Sequence, residues 1–217
     1  MKKKELCKRY ALFVFSTAVS AFGIACTKAG NLGVSAISSV PNVLSVRFDA
    51  LTIGNWTLIW NLLMVLGQIV LLRKDFEKIQ LLQIPMSFLF GWFTDAGVWV
   101  MSFVPVNNYA TQLALVVIGI FILAMGITLG VIANVVLNAG EGIVKALTIK
   151  TKKEFGTMKV LYDTSCIILA VALSLVLFGG KIRGIREGTL IAAFLNGNVV
   201  KFYSRHLKEP LNRRLSA

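Results

Sequence analysis

Six long apolar stretches, separated by short segments that hold most of the charges, dominate this chain. They lie at residues 10–29, 55–72, 83–104, 112–137, 158–178 and 189–203. A membrane-spanning helix needs about 20 predominantly apolar residues, because it must cross about 30 Å of hydrocarbon. The backbone finds no water there, so each segment must satisfy its own amides and carbonyls as a helix. The pattern predicts an all-α polytopic membrane protein with six transmembrane helices. The last stretch is short, and flanking Lys201 and Arg205 would extend it to the interface.

The composition favours a membrane location over the other classes that a basic chain suggests. The chain has 217 residues, is 56% hydrophobic and only 15% charged, and carries a net charge of +13. Soluble domains are about one quarter charged. The basic residues flank the apolar stretches, where lipid headgroups would lie, so we expect a lipid bilayer as partner and no nucleic acid. The basic N-terminus resembles a signal peptide, but its apolar run is long enough to span, and we expect a retained first helix.

The basic residues are distributed unevenly between the two sides. Eighteen of the 23 Lys and Arg residues fall in segments 1–9, 73–78, 138–159 and 201–217, and five fall in the alternating segments. Basic residues concentrate on the cytoplasmic side of membrane proteins. We therefore expect both termini to be cytoplasmic. The segment KIRGIREG, with three basic residues on the other side, is the exception to this rule.

Glycines recur at a nearly constant spacing, which indicates a weak internal repeat. Three pairs are separated by 103, 102 and 106 residues: Gly23 and Gly126, Gly54 and Gly156, and Gly91 and Gly197. Each repeat holds three spans, so the halves would run in opposite directions, as in many transporters. The prediction is a single membrane domain over residues 1–217. Repeat one covers about 10–104, repeat two about 112–203, and a basic tail follows at 204–217.

Each half also carries a glycine-rich break after its first span. The first break, AGNLGVSAISSVPN, and the second, NAGEGIVKA, are too broken for a spanning helix. Non-helical backbone is tolerated at membrane depth only inside protein or beside a watery cavity. We expect a re-entrant or interfacial segment in each half. In the first, we expect Pro41 to stop a short helix that begins near Ser35.

Polar residues inside the spans are the candidates for a solute site, because they are costly there. Asp163 lies 102 residues after Asn61, and Lys201 lies 106 residues after Asp95, so both sets occupy matched positions. Asn61 and Asp163 would contact a solute or ion, or only hold helices together. Asp95 would take part in a proton or cation relay, or pair with a basic residue such as Lys201.

Two further candidate positions lie in the second half. Glu141 would contact solute at the tip of the break or, alternatively, cap the helix that follows it. Asn196 and Asn198 flank Gly197, and this triplet suggests local unwinding of the last span or close helix packing through the glycine.

Catalytic signatures are scarce. The sequence has no Walker A pattern and no GxGxxG. Its single histidine, His206, lies in the basic tail, and its three cysteines lack metal-ligand spacing. We expect no enzyme activity, no catalytic residues, no metal and no cofactor.

The two breaks and the spans after them resemble those of a group of small bacterial integral membrane proteins, the YczE/YyaS/YitT family. The resemblance is carried by NLGVSAISSVPNVLS, LTIGNWTLIWNLLMVLGQIVLL and IPMSFLFGWFTD in the first half. In the second half it is carried by NAGEGIVKALTIKTKKEFGTMKVLYD and REGTLIAAFLNGNVV, and it covers about residues 10–203. It implies a polytopic protein of the bacterial inner membrane without an assigned substrate.

The repeat and the polar residues within it favour a carrier of a small solute that resembles secondary transporters. Two alternatives stay open. One is a substrate-binding membrane subunit of a larger transporter, and the other is a structural or regulatory membrane protein. A homodimer and a partner membrane subunit are equally compatible with the sequence.

Overall fold

The computed structural model describes residues 3–216, and within that range the chain forms α-helices and no β-strand. The helices are α1 (Lys3–Ala29), α2 (Ser39–Arg47), α3 (Ile53–Leu72), α4 (Gln83–Met101), α5 (Tyr109–Ala133), α6 (Ala139–Thr151), α7 (Phe155–Leu177) and α8 (Glu187–Ser216). Two 3₁₀ turns, Arg73–Asp75 and Lys78–Leu82, join α3 to α4. The prediction of an all-α fold is confirmed.

Four of these helices are long and apolar enough to cross a membrane: Lys3–Ala29, Ile53–Asp75, Tyr109–Ala133 and Phe155–Leu177. They correspond to α1, α3 with the turn that follows it, α5 and α7, and they fit an integral membrane protein. The other two predicted spans coincide with α4 and α8. These helices are less apolar because α4 carries Asp95 and α8 continues into the charged tail. The count of six spans therefore stays a prediction.

Local sequence signals explain where the apolar helices begin and end. Thr52 precedes α3, and its hydroxyl accepts a hydrogen bond from the amide of Asn55 at 3.1 Å. Asn108 precedes α5, and its side-chain oxygen accepts from the amide of Thr111 at 2.8 Å. Such caps satisfy amides that the first turn of a helix leaves free. Asn134 ends α5 in the left-handed conformation, with φ of 52°, which asparagine tolerates better than most residues.

Helices α1 and α5 form the centre of the bundle, and their backbones touch. A Cβ atom on Gly23 would lie 2.5 Å from the amide nitrogen of Leu123, and one on Gly119 would lie 2.8 Å from the carbonyl oxygen of Gly23. Only residues without a side chain permit this approach, which is a common way of packing helices in membranes.

The other helices surround this central pair unevenly. Helix α4 packs along α1, and α8 packs along α5. Helix α3 packs on α4 and α6, while α7 packs on α2 and α6. Within the described residues, α7 and α8 have no contact comparable with that between α3 and α4. A gap therefore separates α7 from α8.

Each of the two glycine-rich breaks leads into a short helix, α2 or α6, and their re-entrant or interfacial position stays a prediction. The position expected for Pro41 is wrong: α2 begins at Ser39, and Pro41 lies in its first turn. Proline fits there because the first amides of a helix have no partner within it. The ammonium of Lys28 at the end of α1 holds α2 by donating to Asn42 at 3.0 Å and to Ser45 at 2.9 Å.

Candidate functional site

A cavity of about 1250 Å³ lies between the central helices and the breaks. Its walls come from α1, from every helix between α3 and α8, and from the residues just before α2 and α6. On α1 it touches residues 13–24, on α5 residues 123–131, and on α7 residues 155–163. These are the middle of α1, about the last third of α5 and about the first third of α7. The cavity therefore lies toward the end of the bundle where α1 begins.

Five of the six predicted site residues line this cavity. They come from four different helices and are Asn61 on α3, Glu141 on α6, Asp163 on α7, and Asn196 and Asn198 on α8. The matched positions 61 and 163 thus face one common space, as the repeat suggested. Their binding of a solute stays a prediction.

Asp95 lies elsewhere, at the contact between α4 and the start of α3. Its carboxylate accepts a hydrogen bond from the amide of Gly54 at 2.8 Å and another from the hydroxyl of Thr52 at 2.6 Å. It therefore holds the first turn of α3, where a negative charge is favoured by the helix dipole. The alternative of a pair with Lys201 is not seen: Lys201 lines the cavity on α8, and no salt bridge within residues 3–216 joins the two.

Asp163 forms an ion pair within its own helix. The ammonium of Lys159 lies 2.7 Å from its carboxylate, and both side chains are half-buried at the cavity wall. The two residues are four apart and so lie on one face of α7. Sequence reasoning missed Lys159, although its spacing from Asp163 was visible. The pair gives the α7 wall a balanced charge.

Glu141 lies in the first turn of α6 and is half-buried. Burial raises the pKa of its carboxyl above the ordinary value, nearby Lys159 opposes that rise, and Asp163 adds to it. The carboxylate also accepts a hydrogen bond from its own backbone amide, which lowers the pKa. Glu141 lines the cavity, and its two expected roles, solute contact and helix cap, stay predictions.

The two expectations for the Asn196–Gly197–Asn198 triplet are wrong in this structure. Helix α8 runs without a break through all three residues, and Asn198 donates from its amide to the carbonyl of Phe194 at 3.0 Å, within the helix. A Cβ atom on Gly197 would meet nothing within 4 Å, so this glycine makes no close helix contact. The side-chain oxygen of Asn196 is buried without a hydrogen-bond partner in the described part of the chain.

The two breaks meet at the cavity. A Cβ atom on Gly140, at the start of α6, would lie 2.7 Å from the side chain of Ile37, just before α2. The residues that precede the two helices, Ser38 and Asn138, line the cavity, and neither side chain caps its helix. Both short helices therefore begin beside the cavity, with the positive ends of their dipoles near it.

Sequence reasoning also missed several polar groups in the cavity wall. Ser20, Thr57 and Trp60 line the cavity, and each has a buried side-chain atom without a hydrogen-bond partner among residues 3–216. Buried polar groups usually have partners. Thr57 lies one helical turn before Asn61, so the helical repeat offered a signal for it.

The sequence profile of a family of unknown function, DUF6198, matches residues 7–205. The chain belongs to the DUF6198 family. The match includes all eight helices of this DUF6198 protein apart from the two ends, and so all of the cavity. No curated protein and no solved structure gives a significant match.

Proposed function

We propose that this DUF6198 protein is a carrier of a small solute, similar to secondary transporters, in the inner membrane of a bacterial cell. It has six spans in two inverted repeats, and both termini lie in the cytoplasm. The observation that carries the proposal is a cavity of about 1250 Å³ lined by positions 61 and 163, which the predicted repeat matches in the two halves.

Contacts between α1 and α5 support the inverted repeat. Gly126 lies against the backbone of Ser20. The positions 103 residues away from these two are Gly23 and Leu123, and they also lie against each other. A two-fold axis between the helices requires such paired contacts, and the antiparallel crossing of α1 and α5 provides them.

The meeting point of the two breaks supports the same axis. Ile37 contacts Gly140. Gly140 lies 103 residues later, so it is the residue that corresponds to Ile37 in the second repeat. A residue that touches its own equivalent lies close to a two-fold axis. The cavity beside this contact is then at the interface of the repeats, where carriers with inverted repeats bind their solutes.

The arrangement of helices follows the same rule with two exceptions, the smaller of which is a contact of α1 with α8 that α5 and α4 do not match. The contact of α4 with α1 corresponds to that of α8 with α5, and the contact of α3 with α6 corresponds to that of α7 with α2. The contact between α3 and α4 has no counterpart, because α7 and α8 are apart. The difference between the packed α3–α4 pair and the separated α7–α8 pair supports transport. A carrier that is open to one side at a time must hold its two halves in different conformations.

The charge distribution supports a cytoplasmic position for the cavity. The cavity lies toward the end where α1 begins, and the basic segments lie at that end. The protein then faces inward, with its outer side closed by the contact of α3 with α4. A solute in the cavity would meet amide side chains, the starts of α2 and α6, and the Lys159–Asp163 pair.

Flux into proteoliposomes tests this proposal. The purified chain is reconstituted alone and exposed to a mixture of small metabolites, and the lumen is analysed by mass spectrometry. We expect at least one solute to accumulate with the wild type and to be lost with the Asn61→Ala/Asp163→Ala double variant. Asn55→Ala and Ser165→Ala, which change exposed residues outside the cavity wall, are the matched controls.

Equal flux through the wild type and the double variant would refute the assignment of these residues. Absence of flux for every solute would refute autonomous transport. Flux that requires a copurifying membrane protein would favour a solute-binding subunit instead.

A further inference from the structure

Helices α3 and α4 are held together at their outer ends by a close glycine contact and by a hydrogen bond to a carboxylate. A Cβ atom on Gly91 of α4 would lie 2.8 Å from the carbonyl oxygen of Gly54 at the start of α3. One turn further along α4, Asp95 accepts from the hydroxyl of Thr52 at 2.6 Å. Thr52 is the residue that caps α3. The backbones are thus in contact, and a polar latch spans the crossing.

The equivalent positions in the second half are open. Gly156 and Gly197 correspond to Gly54 and Gly91, and a Cβ atom on either would meet nothing within 4 Å. Both glycines line the cavity. Helices α7 and α8 therefore both carry the glycine that a close crossing would need, but the two helices are apart.

The polar latch also has an equivalent, with a different chemistry. Glu154 lies 102 residues after Thr52 and precedes α7 as Thr52 precedes α3. Lys201 lies 106 residues after Asp95. Both are exposed, and neither belongs to a salt bridge in the described part of the chain. Where the outer latch joins a hydroxyl to a carboxylate, the inner positions carry opposite charges.

We infer that α8 closes onto α7 through Gly156 and Gly197, and that an ion pair between Glu154 and Lys201 latches this closed state. The inference rests on the inverted repeat of the proposed function and adds its inner gate. In the closed state the cytoplasmic mouth of the cavity is sealed. By the same symmetry, the contact of Gly54 with Gly91 then opens and the Asp95 latch is released.

The charges at the two latches fit their positions. At the outer latch, the carboxylate of Asp95 comes from the crossing helix to the positive end of α3. At the inner latch, the carboxylate of Glu154 is already at the positive end of α7, so the crossing helix must supply a partner for it. Lys201 is such a partner, and its long side chain can cross the gap as α8 approaches.

Disulfide trapping tests the approach of the two helices. Cys7, Cys26 and Cys166 are replaced by serine or alanine, and Glu154→Cys is combined with Lys201→Cys. A disulfide requires Cα atoms about 4.4–6.8 Å apart, so the cross-link reports the approach of α8 to the start of α7. The control combines Glu154→Cys with Leu190→Cys, which lies 11 residues earlier on α8 and so about 16 Å away along the helix.

We expect the 154–201 cysteines to cross-link in native membranes and the 154–190 cysteines to remain reduced. Absence of the 154–201 cross-link in a variant that elutes as a monodisperse protein would overturn the inference. Equal cross-linking of both pairs would also overturn it, because it would indicate a loose helix instead of a gate.

A second experiment tests the ion pair itself. In the same background, Gly156→Cys and Gly197→Cys report closure. Lys201→Glu then places two negative charges at the latch, and we expect it to lower the cross-linked fraction by about two- to five-fold, as for an exposed pair of charges. Glu154→Lys combined with Lys201→Glu restores the pair and should restore the cross-link.

A cross-link that is insensitive to Lys201→Glu, or that the exchanged pair does not restore, would refute the latch. These measurements need no solute, so they fail independently of the flux assay. Flux without the 154–201 cross-link would contradict the gate and leave the carrier, whereas the cross-link without flux would contradict the carrier.

Discussion

Alanine at two equivalent glycines should have opposite effects on stability. The positions are Gly91 in the middle of α4 and Gly197 in the middle of α8. They are matched by the repeat and by their helical setting. They differ in their surroundings, because Gly91 touches the backbone of α3 and Gly197 faces the cavity.

The magnitudes follow from these contacts. At position 91 a Cβ atom would lie 2.8 Å from the carbonyl oxygen of Gly54 and 3.3 Å from its carbonyl carbon. Backbone atoms cannot rotate away, and overpacking costs about 1–3 kcal/mol. The greater helix propensity of alanine offsets at most about 1 kcal/mol of this cost. At position 197 the clash is absent, so only the stabilisation from the greater helix propensity of alanine remains.

Thermal unfolding in detergent measures the difference. For a chain of this length, 1 kcal/mol corresponds to about 2–4 °C in Tm. We expect Gly91→Ala to lower Tm by up to about 8 °C and Gly197→Ala to leave Tm unchanged or raise it by up to about 4 °C. An equal loss of stability in both variants would refute the distinction between a closed and an open crossing.

Three further predictions concern buried or half-buried polar groups. Gln68 and Gln83 exchange side-chain hydrogen bonds at 2.9 and 3.0 Å while buried; either single change to leucine should cost about 1–3 kcal/mol, and a double-mutant cycle that shows no coupling would contradict the pairing. Asp95→Ala should lower stability by about 0.5–2 kcal/mol, because it frees the first turn of α3, and an unchanged Tm would show that the cap is unimportant. Since the pKa of Glu141 is raised from 4.5 in the folded state, wild-type stability should fall as pH rises above that value. The Glu141→Gln variant should lack the part of this fall that Glu141 causes. Parallel pH profiles of Tm for the wild type and the variant would refute a raised pKa of Glu141.

The helices of this DUF6198 protein could be predicted because lipid leaves the backbone few options. The apolar stretches at 55–72 and 83–104 correspond closely to α3 and α4. The two short helices after the breaks were also foreseeable from their glycines and small residues. The start of α2 was not, because Pro41 is compatible with both a helix end and a first turn, and tertiary contacts of Lys28 with Asn42 decide between them.

The predicted repeat guided the site prediction at one pair of positions, whereas Glu141, Asn196 and Asn198 were singled out as polar residues in apolar or glycine-rich sequence and also line the cavity. Asn61 and Asp163 were singled out because they are matched, and they line the same cavity. Asp95 and Lys201 are matched in the predicted repeat too, but Asp95 holds the start of α3 and Lys201 lines the cavity. Matched spacing alone therefore could not separate a residue at the cavity from a residue at a helix contact.

Access to the cavity from the two sides of the membrane is the most direct test of an alternating carrier. A single cysteine at Asn61 in the cysteine-free chain is labelled with a membrane-impermeant maleimide in right-side-out and inside-out vesicles. We expect labelling from the cytoplasmic side alone. After cysteines at positions 154 and 201 are cross-linked beforehand, we expect it from the opposite side alone. Labelling from both sides at once, or from neither side in the resting protein, would contradict a carrier that opens to one side at a time.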